Sequence, residues 1–485
     1  MSDARSDSIP LVPDGNLDRV VLLDGDQRWT VADVLASAQE LQESLGALPG
    51  PVKHLVNLAG RRDQFLVGLV AGILGAQVSL MPSTRSRGAI RDLLADHPNT
   101  VILHDGDQPL EPTLTACAPQ VAIPPLRQTR SQAEYARQVP QIPRIPRGQL
   151  IARVFTSGTT GKPRGHDKHW GRLVANTRVA ADALDVHHRR TDNAHQDRLV
   201  GIHLLGTVPS QHMYGFESLI LAALCGGATL SVDQPFFPGD IAASLAALPS
   251  PRMLVTTPYH LHHLLASDCA LPPCEHMLCA TAPLEPRLAA RAEQTLGGAL
   301  QEIYGSTETG QIAVRQPTQG ADWRLMEGVD LEVTASGEVI ASGGHVERPV
   351  ALADCIERVD ARRFRLIGRL ANQVNIAGKR SSIEYLNATL RAIDGVEDGL
   401  FFRPRSAGAS DGQPERLAAV VRGPGLTADA IRRALRDRLD PVFLPRPLLL
   451  VDQMPVNATG KITRDALDTL LTDSNDSDHQ QRDAS

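Results

Sequence analysis

Phe155 to Gly165 reads F-T-S-G-T-T-G-K-P-R-G, and it closes the short apolar run Ile151–Phe155, which has the composition of a buried strand. Four hydroxyl side chains (Thr156, Ser157, Thr159, Thr160) and two glycines (Gly158, Gly161) can bring hydroxyls and bare backbone N–H groups onto phosphate oxygens, while Lys162 and Arg164 offset the anionic charge. The stretch is suited to a nucleotide triphosphate tail. It is not the Walker pattern G-x-x-x-x-G-K-[ST]: Thr156 stands at the first glycine position and Pro163 follows Lys162, so the Mg²⁺-binding hydroxyl is missing. Any four residues of it make an ordinary turn between strands. Eleven in this order carry more than a turn requires.

The 485 residues, 42% of them apolar, exceed one ordinary core and imply at least two domains. A formal charge of −6 offers no basic field for nucleic acid, although Arg362, Arg363 and Arg365 cluster locally. Six scattered cysteines and an opening M-S-D-A-R-S-D-S without basic and apolar signal regions point to a reducing, cytoplasmic setting. Cys269, Cys274 and Cys279 are evenly spaced but contain no C-x-x-C pair, and His260, His262 and His263 lack the i, i+4 pair that zinc favours on a helix; the histidines read as solvated. The most apolar run, Phe65–Ala76, is shorter than the roughly 20 residues that span a bilayer. It reads as a buried helix, and no membrane span is expected.

Strand and helix alternate through the first half. A helix follows Trp29, started by Thr30 and Asp33; strands are expected at 52–58, 78–81, 100–104, 200–205, 228–232, 253–257 and 276–282, and helices at 65–76, 89–95, 173–184 and 216–224. This pattern predicts a layered α/β fold with mostly parallel strands. The Pro- and Gln-rich region 105–147 reads as a long surface connection. Beyond residue 370, helices at 383–392 and 428–439 and strands at 399–403, 417–421 and 447–451 make a smaller α+β part, and 473–485 reads as a disordered tail.

The T-S-G-T-T-G-K-P-R-G stretch is very similar to the phosphate loop of the adenylate-forming superfamily, which includes acyl- and aryl-CoA synthetases and peptide-synthetase adenylation domains. Other segments resemble that family in the same order: P-S-Q-H-M-Y-G-F-E at 209–217, C-A-T-A-P-L at 279–284, Y-G-S-T-E-T-G at 304–310, L-A-D at 352–354, G-R-L-A-N-Q-V-N-I-A-G-K-R at 368–380 and P-V-N-A-T-G-K at 455–461. The resemblance implies a large N-terminal domain (1–370) of layered α/β subdomains with a small β-barrel part, a hinge, and a small C-terminal lid domain (371–472).

It also implies roles. Thr156, Ser157, Gly158, Thr159, Thr160, Gly161 and Lys162 hold the ATP phosphates. Thr281 and Ala282 lie along adenine, Tyr304 packs against it, and Gly305, Ser306 and Thr307 approach the nucleotide. Glu308 helps hold Mg²⁺, Asp354 binds the ribose 15 positions before the hinge Arg369, Gly378 lines the thiol tunnel, and Lys461 is the catalytic cation. His212, Tyr214 and Gly215 become the acid pocket, with His212 at the carboxylate end. Ala371 and Asn375 replace the charged hinge residue and the lysine usual there. The implied activity is ATP-dependent formation of an acyl adenylate, then transfer to CoA or the phosphopantetheine of an acyl carrier protein. The expected substrate is an aryl acid, with a short or medium fatty acid as the alternative. A non-catalytic nucleotide-binding relative would dispense with Lys461 or Glu308, and both are present.

Overall fold

The computed structural model describes residues 7–106, 114, 116–128, 142–156, 163–184, 199–334, 337–369, 373–376, 379–404, 417–439, 441–455, 462 and 466–471. The chain divides into two compact units, one of Met1–Glu332, Ile340–Val350 and Val359–Phe364, the other of Val333–Val339, Ala351–Arg358 and Arg365–Ser485.

In chain order the first unit carries β1 (Ser8–Pro10), β2 (Val20–Asp24), β3 (Gln27–Thr30), β4 (His54–Asn57), β5 (Val78–Met81), β6 (Thr100–His104), β7 (Gln120–Ala122), β8 (Arg144–Pro146), β9 (Leu150–Thr156), β10 (Arg164–His169), β11 (His203–Gly206), β12 (Thr229–Ser231), β13 (Arg252–Thr256), β14 (His276–Cys279), β15 (Ala299–Ser306), β16 (Gly310–Arg315) and β17 (Trp323–Leu325). One sheet runs β10-β9-β5-β4-β6-β7, parallel except where β9 and β10 pair antiparallel. The other runs β17-β16-β15-β14-β13-β11-β12-β2-β3, parallel from β15 to β2 and antiparallel at its ends.

The expected alternation is present, with local differences. The helix after Trp29 is Val31–Gly46, and its predicted start is a complete capping box: the Asp33 N–H donates to the Thr30 hydroxyl and the Thr30 N–H to the Asp33 carboxylate. The apolar helix spans Arg62–Leu74, starting three residues before the predicted bound because Arg62 is itself buried. β11 begins at His203, not Val200, because the chain turns at 199–202, where Ile202 donates to Leu199 and Gly201 sits at φ +82°. The connection 105–147 holds two short strands, β7 and β8. Leu205, Leu254, Leu261, Leu264, Ala289 and Leu300 share one core between the second sheet and the helices Pro258–Ala266 and Pro286–Leu296.

Both sheets reverse their strand order at one strand. From β11 the chain adds β12 on one side and later β13 on the other, so the carboxyl end of β11 opens into a crevice; β4 does the same between β5 and β6. Arg62 sits at the first of these places. Its guanidinium donates to the carbonyls of Gly206 (2.8 Å), Val208 (3.2 Å) and Asp233, with Ser231 at 3.5 Å, and so ties the ends of β11 and β12 together. Burial pushes this arginine down to about 10.

Short strands β18 (Val329–Val333), β19 (Val339–Gly343), β20 (Val350–Leu352), β21 (Asp354–Arg358) and β22 (Arg363–Arg369) follow. The second unit then has the hairpin β23 (Gln373–Ile376) and β24 (Lys379–Ser382), the helix Ile383–Arg391, a sheet of β25 (Asp398–Phe402), β26 (Ala418–Arg422) and β27 (Leu448–Leu450), and the helix Ala428–Arg436 capped by Thr427. Leu386, Leu390, Phe401, Val421, Ile431 and Leu435 form its core. Among the described residues, no helix is long and apolar enough to cross a membrane.

Arg62→Met leaves the converging carbonyls of β11 and β12 without donors and is expected to lower the stability of the first unit by about 3 kcal/mol. Arg62→Lys, which cannot fork between carbonyls, recovers only part of it. Denaturant unfolding followed by tryptophan fluorescence measures both losses.

Candidate active site

The ladder of β9 and β10 closes at Thr156 and Arg164, so the phosphate-loop motif is the connection of an antiparallel hairpin. Thr156 belongs to β9; Ser157, Gly158, Thr159, Thr160, Gly161 and Lys162 lie outside the described residues. Residues 166 and 168 point to the same face of β10, and both are buried. His166 Nε2 lies 3.1 Å from the Thr156 hydroxyl and 3.3 Å from Glu308 Oε1. Two motifs about 150 residues apart in sequence thus meet on one imidazole.

Y-G-S-T-E-T-G is a tight hairpin. Tyr304, Gly305 and Ser306 are still on β15, where the sequence suggests an open loop, and Gly310 already begins β16. The Ser306 N–H donates to the Thr309 hydroxyl at 3.1 Å and the Thr309 N–H to the Ser306 hydroxyl at 3.3 Å, so these two side chains fasten the turn. Thr307 and Glu308 are left half-buried on it. A side chain at Gly305 would lie 2.1 Å from the Gly310 carbonyl, so this position requires glycine for the hairpin itself. The Tyr304 ring packs against Trp323 and Phe364, at 5.5 and 5.8 Å between centroids.

The segment after β14 is exposed at Thr281, Ala282 and Pro283 and turns inward at buried Leu284. Thr281 has φ +84°, a strained backbone for a β-branched residue, of the kind held at ligand sites. Glu302 anchors the segment: its buried carboxylate accepts from the Leu284 N–H at 3.0 Å and from Arg315 at 2.7 Å. Burial raises the Glu302 carboxyl, and Arg315 opposes the rise.

Pro209–Glu217 leaves the crevice at the carboxyl end of β11. Tyr214 is half-buried, and its hydroxyl donates to the Leu278 carbonyl at 2.8 Å, which ties the segment to β14. At Gly215 a side chain would lie 2.1 Å from the Pro209 carbonyl, so the turn into the following helix demands glycine. His212 is exposed at the residue level, yet partial desolvation holds its imidazole below the usual range. The neighbouring Gln211 accepts from Arg85 at 3.2 Å. The helix then widens into a π-helical stretch, Phe216–Leu221, a feature frequent at functional sites.

Behind the hairpin lies a buried polar group that sequence reasoning does not identify. Burial pushes the Glu217 carboxyl up to about 8 against the pull of Lys168, and pushes Lys168 down against the pull of Glu217 and Glu347. Asn176 Nδ2 donates to Glu217 Oε1, and Gln311 donates to Ser218 at 2.9 Å. His345, 4% exposed, is pushed down to about 4, chiefly by burial, with Lys168 and Arg172 adding to the shift and the Gln311 backbone opposing it. The available signal was modest: the polar residues 166 and 168 alternate along the strand after the loop.

Asp354 opens β21 and Arg369 closes β22, both in the second unit; the Arg369 side chain, Gly378 and Lys461 lie outside the described residues. The histidines at 260–263 differ from expectation in one member: His262 and His263 are exposed, but His260 is half-buried, its ring 5.1 Å from that of Phe236.

The sequence profile described as "AMP-binding enzyme" matches residues 12–335, and the chain belongs to this family of the adenylate-forming superfamily. It is 28% identical over 315 residues to a 4-coumarate–CoA ligase of Halorhodospira halophila, covering 63% of this chain and 73% of that one. An indoleacetate–CoA ligase of Aromatoleum aromaticum is 25% identical over 358 residues, which make up 65% of this chain and 66% of the relative. The fold matches that of ATP-bound MatB from Rhodopseudomonas palustris with a TM-score of 0.73 at 17% identity, over 94% of this chain and 96% of that one.

The burial of His345 implies a pH dependence for the first unit. The folded value of this histidine is depressed from 6.5 to about 4, so its contribution is complete above pH 6.5, falls away between about 6.5 and 4, and is fully lost once pH has fallen through about 4. Between pH 7 and pH 5 the wild type is expected to lose about 2 kcal/mol more stability than His345→Gln, read as the difference in unfolding free energy at the two pH values.

Proposed function

We propose that this chain activates a carboxylic acid with ATP, releasing pyrophosphate, and passes the acyl group from the adenylate to the thiol of CoA or of a carrier-protein phosphopantetheine. The observation that carries this reading is the meeting of Thr156, at the base of the phosphate loop, with Glu308 of the second motif on His166.

Attack of a carboxylate on the α-phosphate accumulates charge on non-bridging oxygens, which oriented cations and donors must meet. The loop 156–162 positions the triphosphate, and Lys461 supplies a point charge to the acid and the α-phosphate. Tyr304 packs on adenine beside the strained Thr281–Ala282 segment, and Asp354 accepts from the ribose hydroxyls. Among the described residues no three His, Cys, Asp or Glu cluster as a metal cage. Glu308 would hold Mg²⁺, a hard cation that takes carboxylate oxygen. When bound, it would supply neutralisation of the charge on the phosphate oxygens. The large domain 1–370 and the lid 371–472 alternate about Arg369, with Gly378 lining the path of the thiol, because the thiol must approach from the side that Lys461 occupied.

An aryl acid is the favoured substrate. The two ligases reported above are named for 4-coumarate and indoleacetate. No acidic residue occurs between Val200 and Phe216 to meet an α-ammonium, whose unpaired burial is costly. A flat ring stacks on Tyr214 with its carboxylate toward His212.

Exchange of labelled pyrophosphate into ATP is expected with Mg-ATP and the acid; ADP and orthophosphate as products would overturn the reading. Lys461→Ala is expected to lose about 10²–10³-fold in adenylation while still forming thioester from preformed adenylate, and equal loss in both half-reactions would contradict alternation. A hydroxamate-trapping panel of benzoates, cinnamates, fatty acids and amino acids decides the acid. Turnover restricted to amino acids would refute the pocket assignment.

A further inference from the structure

We propose that His166 is a positioning residue of the nucleotide site, holding the Glu308 carboxylate and the Thr156 end of the phosphate loop in one fixed relation. The inference rests on the acid-ligase reading of those two residues and adds a third, the residue that immediately follows the first motif on β10. Three observations carry it. His166 Nε2 faces two partners at once, the Thr156 hydroxyl at 3.1 Å and Glu308 Oε1 at 3.3 Å. The imidazole is almost wholly enclosed, 5% exposed, whereas the Glu308 side chain is 37% exposed, so the ring is the fixed member of the pair and the carboxylate the one that needs fixing. The ring is itself carried by a ladder strand, opposite Val154 and diagonal to Thr156, so its backbone cannot drift from the loop it serves.

With its proton on Nε2, a neutral imidazole directs that N–H toward the hydroxyl oxygen, and the carboxylate oxygen 3.3 Å from the same nitrogen is held by electrostatic attraction. That contact selects one orientation of Glu308 and leaves its other lone pairs for a cation. Partners of this kind, one bond removed from a metal, change metal affinity by about 10–100-fold when lost.

The test uses the full-length chain with Mn²⁺ and a non-hydrolysable ATP analogue, reading bound Mn²⁺ by electron paramagnetic resonance. His166→Leu is expected to weaken Mn²⁺ binding about 10–100-fold, and to raise the KM for ATP with the KM for the acid unchanged. In His166→Gln the side-chain amide N–H reaches the place of Nε2, and Mn²⁺ affinity is expected to return to within about threefold of wild type. Unchanged Mn²⁺ affinity in His166→Leu overturns the proposal, and so does an equal loss in both variants, which would mark the ring as packing alone. The readouts separate the two levels of inference. A wild type that releases ADP defeats the proposed activity, while the contrast between Leu and Gln still decides the role of His166.

Discussion

Four backbone carbonyls at the ends of β11 and β12 converge on one guanidinium, and the rest of the crevice depends on that convergence. Parallel strands present their last carbonyls in the same direction, where no further strand residue donates to them. Where strand order reverses, a helix cannot cover the gap, and the exposed carbonyls must be met by water or by a side chain. Arg62 meets them from inside the protein with a planar fork of donors, so Gly206, Val208 and the Pro209–Gly215 turn leave the sheet along a defined path. Burial away from water is what lowers the basicity of Arg62.

A second dry region lies behind the β15–β16 hairpin, where Lys168, Glu217, Asn176, Gln311 and His345 are enclosed together. Each ionisable member is shifted toward its neutral form, and desolvation is the largest cause in every case. Such a group is costly unless its members satisfy one another. The Asn176 to Glu217 and Gln311 to Ser218 bonds do so only in part, since the Asn176 Oδ1 and both ring nitrogens of His345 are buried without a side-chain hydrogen-bond partner among the described residues; the Gln311 bond fixes the start of β16, immediately after the turn that carries Glu308. The polar interior behind the hairpin and the candidate site in front of it are two sides of the same few residues.

The parts of this molecule that were legible in the sequence are those whose physics is local. A capping box is written in four residues, and Thr30 with Asp33 forms it as expected; the alternation of apolar runs predicts the parallel sheets. Y-G-S-T-E-T-G announces itself by composition, although its hairpin geometry depends on Gly305 tolerating a carbonyl five residues away. What could not be read depends on partners remote in the chain. Arg62 looks like an ordinary charged residue at a helix start until the ends of β11 and β12 arrive beside it, more than 140 positions later. His166 and Glu217 likewise acquire meaning only when β10, the helix Trp170–Leu184 and the β15–β16 hairpin are brought together. Tyr214 was legible as part of a pocket segment, but the engagement of its hydroxyl by Leu278 was not, because nothing in the segment itself names β14 as its neighbour.

β10 is the edge of its sheet among the described strands, with only β9 beside it. An edge of this kind offers unpaired backbone groups to any extended chain that drifts past. Its sequence, R-G-H-D-K-H, answers with ionisable groups on both faces, two of them directed inward. The edge strand is therefore charged or polar on both faces, a composition that disfavours continuation of the sheet by a neighbouring chain.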